Sequence, residues 1–211
     1  MAKLTAALTE QLRLALRASR TSPDLALGRA GLEAAVLDTL QGGASVGVDV
    51  AIAELEGLGI GVDWTLVNEA ARDWARQAAY GLVADIDATS QRILQKEVSQ
   101  WVASGEHFDK LTEALADTFG EKRARIIAMT ETTRAYAEGN IATWRASGLA
   151  DHEPSTKPPA HPNCRCSLSL VEESDGSWQY IWNAANDELM CDVCEGLNQT
   201  GVGLAKAAPA E

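Results

Sequence analysis

The sequence has no run of apolar residues close to the roughly 18 that a membrane-spanning helix needs. Its first stretch also lacks the continuous apolar segment and small-residue cleavage site of a secretory signal. We therefore expect a soluble, intracellular protein that has no membrane partner. At 211 residues, of which 46% are apolar, the chain is long enough to bury a core.

Cationic residues are scarce, because 18 Lys and Arg stand against 30 Asp and Glu, giving a formal net charge of -12. Affinity for nucleic acid comes largely from Lys and Arg that neutralise phosphates, so this charge argues against a surface that wraps duplex DNA. A small basic cluster at Lys122, Arg123 and Arg125 is more simply interpreted as the solvated start of a helix.

Aromatic residues make up only 5% of the chain, whereas Ala and Leu dominate the first 150 positions, which favours helix over sheet. The pattern predicts a mainly α protein with a helical domain over residues 1–148. Apolar stripes are predicted on two helices: Leu4, Leu8, Leu12 and Leu16 on the first, and Phe108, Leu111, Leu115 and Phe119 on the helix at 108–119. The glycines after Gln41 predict a break in the second helix. Helices are predicted at 4–17, 24–40, a short stretch ending at 55, 63–102, 108–119 and 121–147.

Four prolines between residues 154 and 162 predict an extended connector that leads into a second subdomain at 149–198. Residues 167–171 and 178–182 alternate as strands do, and Asp175-Gly176 between them is a strong signal for a β-hairpin turn. A short helix from Asp187 to Glu195, capped by Asn186, is predicted to follow. Residues 199–211 are predicted to be a loose tail.

Cysteine is missing from the first 163 residues, and all four cysteines fall between positions 164 and 194. An antiparallel hairpin brings the start of its first strand beside the end of its second. The pair Cys164/Cys166 precedes one strand and the pair Cys191/Cys194 follows the other, so both pairs are expected at the same end of the ribbon. There they could hold Zn²⁺ tetrahedrally, as a structural metal site in a small Cys/His knuckle.

Several alternatives remain open for these cysteines. The Cys-x-Cys spacing of Cys164 and Cys166 is tighter than usual, and His161 could replace Cys166 to give a Cys₃His set. Two disulfides between the pairs, or free thiols in a packed corner, are competing interpretations. Four ligands from the protein leave no open position for water, so a structural role is favoured over a hydrolytic one.

Other polar residues give weaker signals. Glu131 and Arg134 are spaced for an exposed ion pair on a helix, and the alternative is that they and Thr130 orient the cysteine subdomain through hydrogen bonds. His107 and His152 are each expected at the surface. The sequence has no Gly-rich phosphate loop, no HExxH and no nucleophile elbow, and we expect no enzymatic activity.

Three stretches together resemble a known family, the Mu F-like and SPP1-type phage head morphogenesis proteins, which are minor head components. Residues 123–140, RARIIAMTETTRAYAEGN, are similar to a helix of that family. Residues 158–168, PPAHPNCRCSL, are the most specific match. Residues 182–198, WNAANDELMCDVCEGLN, resemble its Cys-x-x-Cys segment, which in this chain follows the His-Pro-Asn-Cys-Arg-Cys segment instead of preceding it.

The resemblance implies a protein of the virion head, present in the host cytoplasm during assembly. It would associate with the portal protein and the major capsid protein, with contact to DNA during packaging or ejection as a further option. Two other functions remain open: a carrier domain of a phage-associated toxin or transferase, and a zinc-ribbon regulator that binds nucleic acid.

Overall fold

The structure is a computed structural model that describes residues 2–18, 24–61, 63–104, 108–188 and 190–208. It is mainly helical with a small antiparallel sheet near the C-terminal end, which confirms the predicted fold class. The helices are α1 Ala2–Ala18, α2 Arg29–Gly57, α3 Trp64–Ser104, α4 Phe108–Phe119, α5 Glu121–Ala146 and α6 Asp192–Leu197, with one 3-10 turn at Leu25–Gly28. The strands are β1 Ser167–Glu172, β2 Trp178–Asn183 and β3 Gly201–Lys206. Among the described residues, no helix combines the length and the apolarity that crossing a bilayer requires.

Helix α2 runs without interruption through Gly42 and Gly43, so the break predicted there is wrong. The reason is close packing against α5. A Cβ atom on Gly47 would lie 2.2 Å from the carbonyl oxygen of Tyr136, and one on Gly139 would lie 2.4 Å from that of Ala44. These glycines let two helix backbones approach each other, a gain that offsets the weak helix propensity of glycine.

The predicted hairpin is present as β1 and β2. They pair antiparallel from Ser167 opposite Asn183 to Glu172 opposite Trp178. In the turn, Gly176 has a φ of 80°, which glycine adopts without strain, and the backbone N–H of Ser177 donates to Asp175 Oδ1 at 2.9 Å. The Asp-Gly signal in the sequence therefore marks the turn correctly.

A third strand, β3, corrects the prediction of a loose tail from residue 199, because Gly201–Lys206 pairs antiparallel with β2. Two of its side chains, Val202 and Ala205, are buried. Its carbonyl groups also accept hydrogen bonds from the connector, where the backbone N–H of Ser155 donates to Val202 at 2.7 Å. Gly201, Gly203 and Ala205 give this strand few of the large or β-branched side chains that predict strands from sequence. A register shift between β2 and β3 also interrupts the alternation of buried and exposed residues. Residues 209–211 of the predicted tail lie outside the described residues.

The last helix is shorter and later than the predicted 187–195. Helix α6 begins at Asp192 with Cys191 as its N-cap residue, and it ends at Leu197. Asn186, predicted as the cap, instead adopts a left-handed conformation with a φ of 47° in the loop before the helix. Asn is the non-glycine residue that tolerates this conformation best, which explains its presence there.

The chain divides into two compact units, and residue 148, the predicted boundary, does not separate them. The first unit comprises Met1–Thr39 and Arg76–Ala128. The apolar stripe predicted for α4 is buried in it. Its core consists of Ala15, Leu25, Leu94, Val98, Leu111, Leu115 and Phe119, with Leu12, Leu16, Trp101 and Phe108 packed around them. A buried amide, Gln11, donates to Asp87 Oδ1 at 2.8 Å, and Asp87 also accepts from Arg29.

The second unit comprises Leu40–Ala75 and Met129–Glu211, so the end of α5 shares a unit with the sheet and the cysteines. Its core joins helix residues to the strands. Trp144, Tyr180 and Trp182 are completely buried, and the rings of Trp144 and Tyr180 are 6.0 Å apart at an angle of 49°. Three of the cysteines, Cys164, Cys166 and Cys194, belong to this core cluster.

Candidate metal centre

Five potential metal ligands meet at one end of the β1–β2 hairpin. His161, Cys164 and Cys166 lie in the segment that leads into β1, and Cys191 and Cys194 lie at the start of α6, after β2. The antiparallel pairing of Ser167 with Asn183 closes this end of the ribbon and brings the two segments together, as the hairpin geometry predicts. We call these five residues the cysteine–histidine cluster.

The ligand atoms of the cluster form two groups that share one thiol. His161, Cys191 and Cys194 form one group, and Cys164, Cys166 and Cys194 form the other, with all ligand atoms of a group within 4.8 Å of one another. Nε2 of His161 lies 3.1 Å from Sγ of Cys194 and 3.1 Å from Sγ of Cys191, and Sγ of Cys164 lies 3.9 Å from that of Cys194. Cys194 is therefore the central residue of the cluster.

Within each group, the Cys164–Cys194 separation matches that of two ligands on one tetrahedral ion, and the two contacts of His161 are shorter by about 0.4 Å. With Zn–S bonds of about 2.3 Å and Zn–N bonds of about 2.0 Å, two thiolates on one ion are about 3.8 Å apart, and a thiolate and an imidazole nitrogen are about 3.5 Å apart. The sulfur atoms of Cys164 and Cys194 are at that distance, about twice the length of a disulfide bond, and all four cysteines are free thiols. The cavity that the cluster lines has a volume of about 10 Å³, enough for one small ion. The cluster could therefore hold a metal ion.

The imidazole of His161 is oriented by its own backbone neighbour. Its Nδ1 lies 2.8 Å from the carbonyl oxygen of Pro162, which can only accept a hydrogen bond. Nδ1 thus carries the proton in that contact, and Nε2 is left to face the thiols with its lone pair. A histidine whose second ring nitrogen donates to a carbonyl group is typical of metal ligands in proteins.

The thiols of the cluster differ in the direction of their pKa shifts, because they differ in burial and in the backbone N–H groups near them. Burial raises the pKa of Cys194 and of Cys166, because the thiolate form loses its hydration. The backbone N–H of Cys194 lowers the pKa of Cys191, because it stabilises the thiolate form of that residue. A cation that binds the buried thiols must therefore displace their protons, since the thiolate is the form that binds metal.

Two threonines of α5 hold the loop that carries Cys164. Thr133 Oγ1 donates to the carbonyl oxygen of Cys164 at 2.7 Å, and Thr130 Oγ1 accepts from the backbone N–H of Asn163 at 2.8 Å. Asn163 has a φ of 65°, so the loop turns sharply just before the first cysteine. The sequence interpretation included Thr130 as a residue that orients the subdomain but missed Thr133, one helical turn further along the same face.

Glu131 and Arg134 form the expected ion pair, with Arg134 Nε 3.1 Å from Glu131 Oε2. The expectation that the pair is exposed is only half correct, because Glu131 is buried while the Arg134 side chain remains half-exposed. Thr130 and Thr133 supply hydrogen bonds from α5 to the cysteine loop.

The remaining candidates lie away from the cluster. His152 is exposed beside Asp151, as predicted, and His107 lies outside the described residues. Arg123 does not belong to a solvated basic patch, since Nη1 donates to Ser90 Oγ at 2.7 Å and to the carbonyl oxygen of Thr118 at 3.2 Å. Its burial lowers the pKa of its guanidinium group. This arginine therefore connects α5 to α3 and to the end of α4 within the helical unit.

Comparison of the chain with protein-family models, with curated proteins and with solved structures gives no match.

Proposed function

We propose that the cysteine–histidine cluster binds one Zn²⁺ ion as a structural centre. The observation that carries this proposal is the convergence of five S and N ligand atoms, with Cys194 common to both groups. Zn²⁺ favours tetrahedral sites of thiolate and imidazole ligands, and structural sites use four such ligands with no open position. A centre of this kind ties the segment before β1 to α6, and its binding free energy contributes to folding of the second unit.

Five ligand atoms allow five sets of four, and we propose one of two sets for a single ion. One set consists of the four cysteines, and the other replaces Cys166 with His161. Both contain Cys164, Cys191 and Cys194. The orientation of the His161 ring by Pro162 favours the Cys₃His set, because a pre-oriented imidazole loses little freedom when it binds.

We further propose that the chain is a minor head protein of a tailed phage or prophage, which associates with the portal and acts in head assembly or DNA delivery. Its support is the resemblance of three stretches, residues 123–140, 158–168 and 182–198. The hydrogen bonds of Thr130 and Thr133 to residues 163 and 164 link the first stretch to the second. The cysteine–histidine cluster in turn links the second stretch to the third. A zinc centre there would give the three stretches a fixed shape that a partner can recognise.

The zinc proposal is tested by elemental analysis of the purified full-length protein, with the free thiols counted before and after chelation. We expect about one Zn per chain, thiols that react slowly with a thiol reagent, and fast reaction of four thiols once a chelator has removed the metal. Four thiols that react freely in a metal-free protein would refute the centre.

The head assignment needs a partner test, in which the tagged chain is co-expressed with the portal protein and the major capsid protein of the same phage or prophage. We expect the portal protein to co-purify. The matched control is the variant Cys194→Ser, which keeps the helical unit but loses the proposed centre, and we expect it to retain less portal protein. Co-purification of neither protein with the intact chain contradicts the assignment.

A further inference from the structure

The segment between β2 and α6 is tied down at several points. We call residues 184–188 the strap. The backbone N–H of Ala184 donates to Asn198 Oδ1 at 3.0 Å, and Asn198 Nδ2 donates to Asn186 Oδ1 at 3.2 Å. Both bonds involve Asn198, the C-cap residue of α6, so the strap is anchored to the helix that carries Cys191 and Cys194.

The strap is also bound to the other half of the cluster through an ion pair. Arg165 Nη2 donates to Asp187 Oδ1 at 2.6 Å, and Arg165 Nη1 contacts Asp187 Oδ2. The pair is thus bidentate, which makes it stronger and more directional than a single contact. The side chains of Arg165 and Asp187 are 26% and 38% exposed, so solvent screens this pair less than the pair of Lys3 and Asp38, whose side chains are 73% and 57% exposed.

The position of the pair relates it to the metal centre. Arg165 lies between Cys164 and Cys166, and Asp187 lies four residues before Cys191. The residues that line the cavity at the cluster include Arg165, Ala185 of the strap and Met190. The strap and the Arg165 loop therefore border the same small cavity.

The positive charge of Arg165 is a second feature that relates it to the metal centre. Three or four thiolates on one Zn²⁺ leave a net negative charge on the complex. Between Lys157 and Lys206, Arg165 is the only Lys or Arg in the sequence. Its guanidinium group is therefore the one lysine or arginine charge that this stretch of chain can place beside the thiolates.

We propose that the Arg165–Asp187 pair is a latch that holds the strap over the metal centre, and so raises the affinity of the centre for Zn²⁺ and slows its release. The proposal rests on the zinc centre proposed above. Arg165 and Asp187 are positioning residues, since they hold the segments that carry the ligands and do not bind the metal. Groups that hydrogen-bond directly to metal ligands typically change metal affinity by about 10- to 100-fold, and we expect this pair, which holds the ligand segments, to act near the lower end of that range.

The test uses the full-length chain and Zn²⁺ alone, with affinity measured by competition against a chromogenic chelator and release measured after mixing with excess chelator. The variants are Arg165→Gln, Asp187→Asn and the double variant. We expect each single substitution to weaken Zn²⁺ binding by about 10-fold or more and to speed release. We expect the double variant to be no weaker than the worse single variant, because both substitutions break one interaction.

The matched control is Glu153→Gln, which removes the same kind of charge from the ion pair of Arg145 and Glu153 in the same unit. We expect its Zn²⁺ affinity to equal that of the unsubstituted chain. The absorption spectrum of the Co²⁺-loaded variants should keep the bands of tetrahedral thiolate coordination, which shows that the ligands themselves are intact.

Several outcomes separate the latch from the centre on which it depends. Single variants within about twofold of the unsubstituted chain overturn the latch, as do losses that multiply in the double variant. A changed Co²⁺ spectrum also overturns it, because the substitution then alters the ligand set. An unsubstituted chain that binds no Zn²⁺ overturns the proposed centre itself.

Discussion

Cys194 is the residue on which the metal centre depends most, because its thiol belongs to both groups of ligand atoms. Cys194 is also buried. The choice between the two sets of four ligands, in contrast, involves only His161 and Cys166. Residue substitutions can therefore separate the existence of the centre from the identity of its fourth ligand.

We predict that Cys194→Ser abolishes stoichiometric zinc binding. The hydroxyl is a poor ligand for this ion, and each set of four then lacks its central member. Of His161→Ala and Cys166→Ser, one should keep zinc at the level of the unsubstituted chain, since only one of these residues is needed. Metal content after purification and dialysis measures all three. Full zinc in Cys194→Ser would show that the cluster is not the site.

Tyr180 predicts a pH dependence that does not involve the metal. Burial raises the pKa of its phenol to about 12, above the value of about 10 expected in the unfolded chain, and its hydroxyl donates to the carbonyl oxygen of His152 at 2.9 Å. The folded state thus prefers the neutral phenol. The associated stability is fully present below pH of about 10 and is lost as the pH rises toward 12.

Tyr180→Phe cannot ionise, so the free energy of unfolding of this variant should fall less between pH 9 and pH 12 than that of the unsubstituted chain. At neutral pH the variant should be about 1 kcal/mol less stable, because it lacks the hydrogen bond to His152. Urea unfolding at a series of pH values measures both effects. Identical alkaline slopes for the two proteins would contradict the account of this residue.

At the scale of elements, the crossing of α2 and α5 explains why a glycine-rich stretch remains helical. Gly43, Gly47 and Gly139 each face backbone or Cβ atoms of the opposite helix, at distances that exclude a side chain. Gly42, one residue before this set, has no atom within 4 Å of where its Cβ would be. Substitution by alanine should therefore have opposite effects on stability at Gly42 and at Gly47.

We predict that Gly47→Ala destabilises the protein by about 1–3 kcal/mol, because its methyl group would displace the backbone of Tyr136. The control Gly42→Ala should stabilise it by about 0.5–1 kcal/mol, since alanine favours a helix and no neighbour obstructs it. Chemical denaturation of the two variants gives both values. Equal effects at the two positions would mean that α2 and α5 do not cross as described.

The sequence predicts some elements better than others, for physical reasons. The turn at Asp175-Gly176 and the apolar stripe of α4 depend on local pattern, and both are present. The continuity of α2 depends on a partner helix more than 80 residues away, which no local pattern contains. Three of the six residues of β3 are Gly or Ala, so the strand has no strong side-chain signal.

At the candidate site, the sequence identifies the ligands but not the groups that hold them. The pairing of strands follows from the turn, and that pairing is enough to predict that the cysteines converge. The roles of Thr133 and Asp187 depend on loop conformations such as the left-handed backbone at Asn163 and Asn186. Those conformations arise from tertiary contacts, which a single sequence does not reveal.

At the scale of the whole molecule, the metal centre belongs to one of two compact units. The cores of the two units are formed by different residues, and the cysteines contribute to the core of the second. Metal removal should therefore destabilise the second unit more than the first. After chelation we expect amide hydrogen exchange to speed up in β2, Trp178–Asn183, and to change little in α4, Phe108–Phe119. Uniform loss of protection over both elements would contradict this separation.

The central claim, a zinc ion bound by thiolates of the cysteine–histidine cluster, is tested most directly by X-ray absorption at the zinc edge on the purified full-length chain. The account predicts a four-coordinate ion with three or four sulfur neighbours at about 2.3 Å, and one nitrogen at about 2.0 Å if His161 is the fourth ligand. A spectrum with only oxygen and nitrogen neighbours would contradict it.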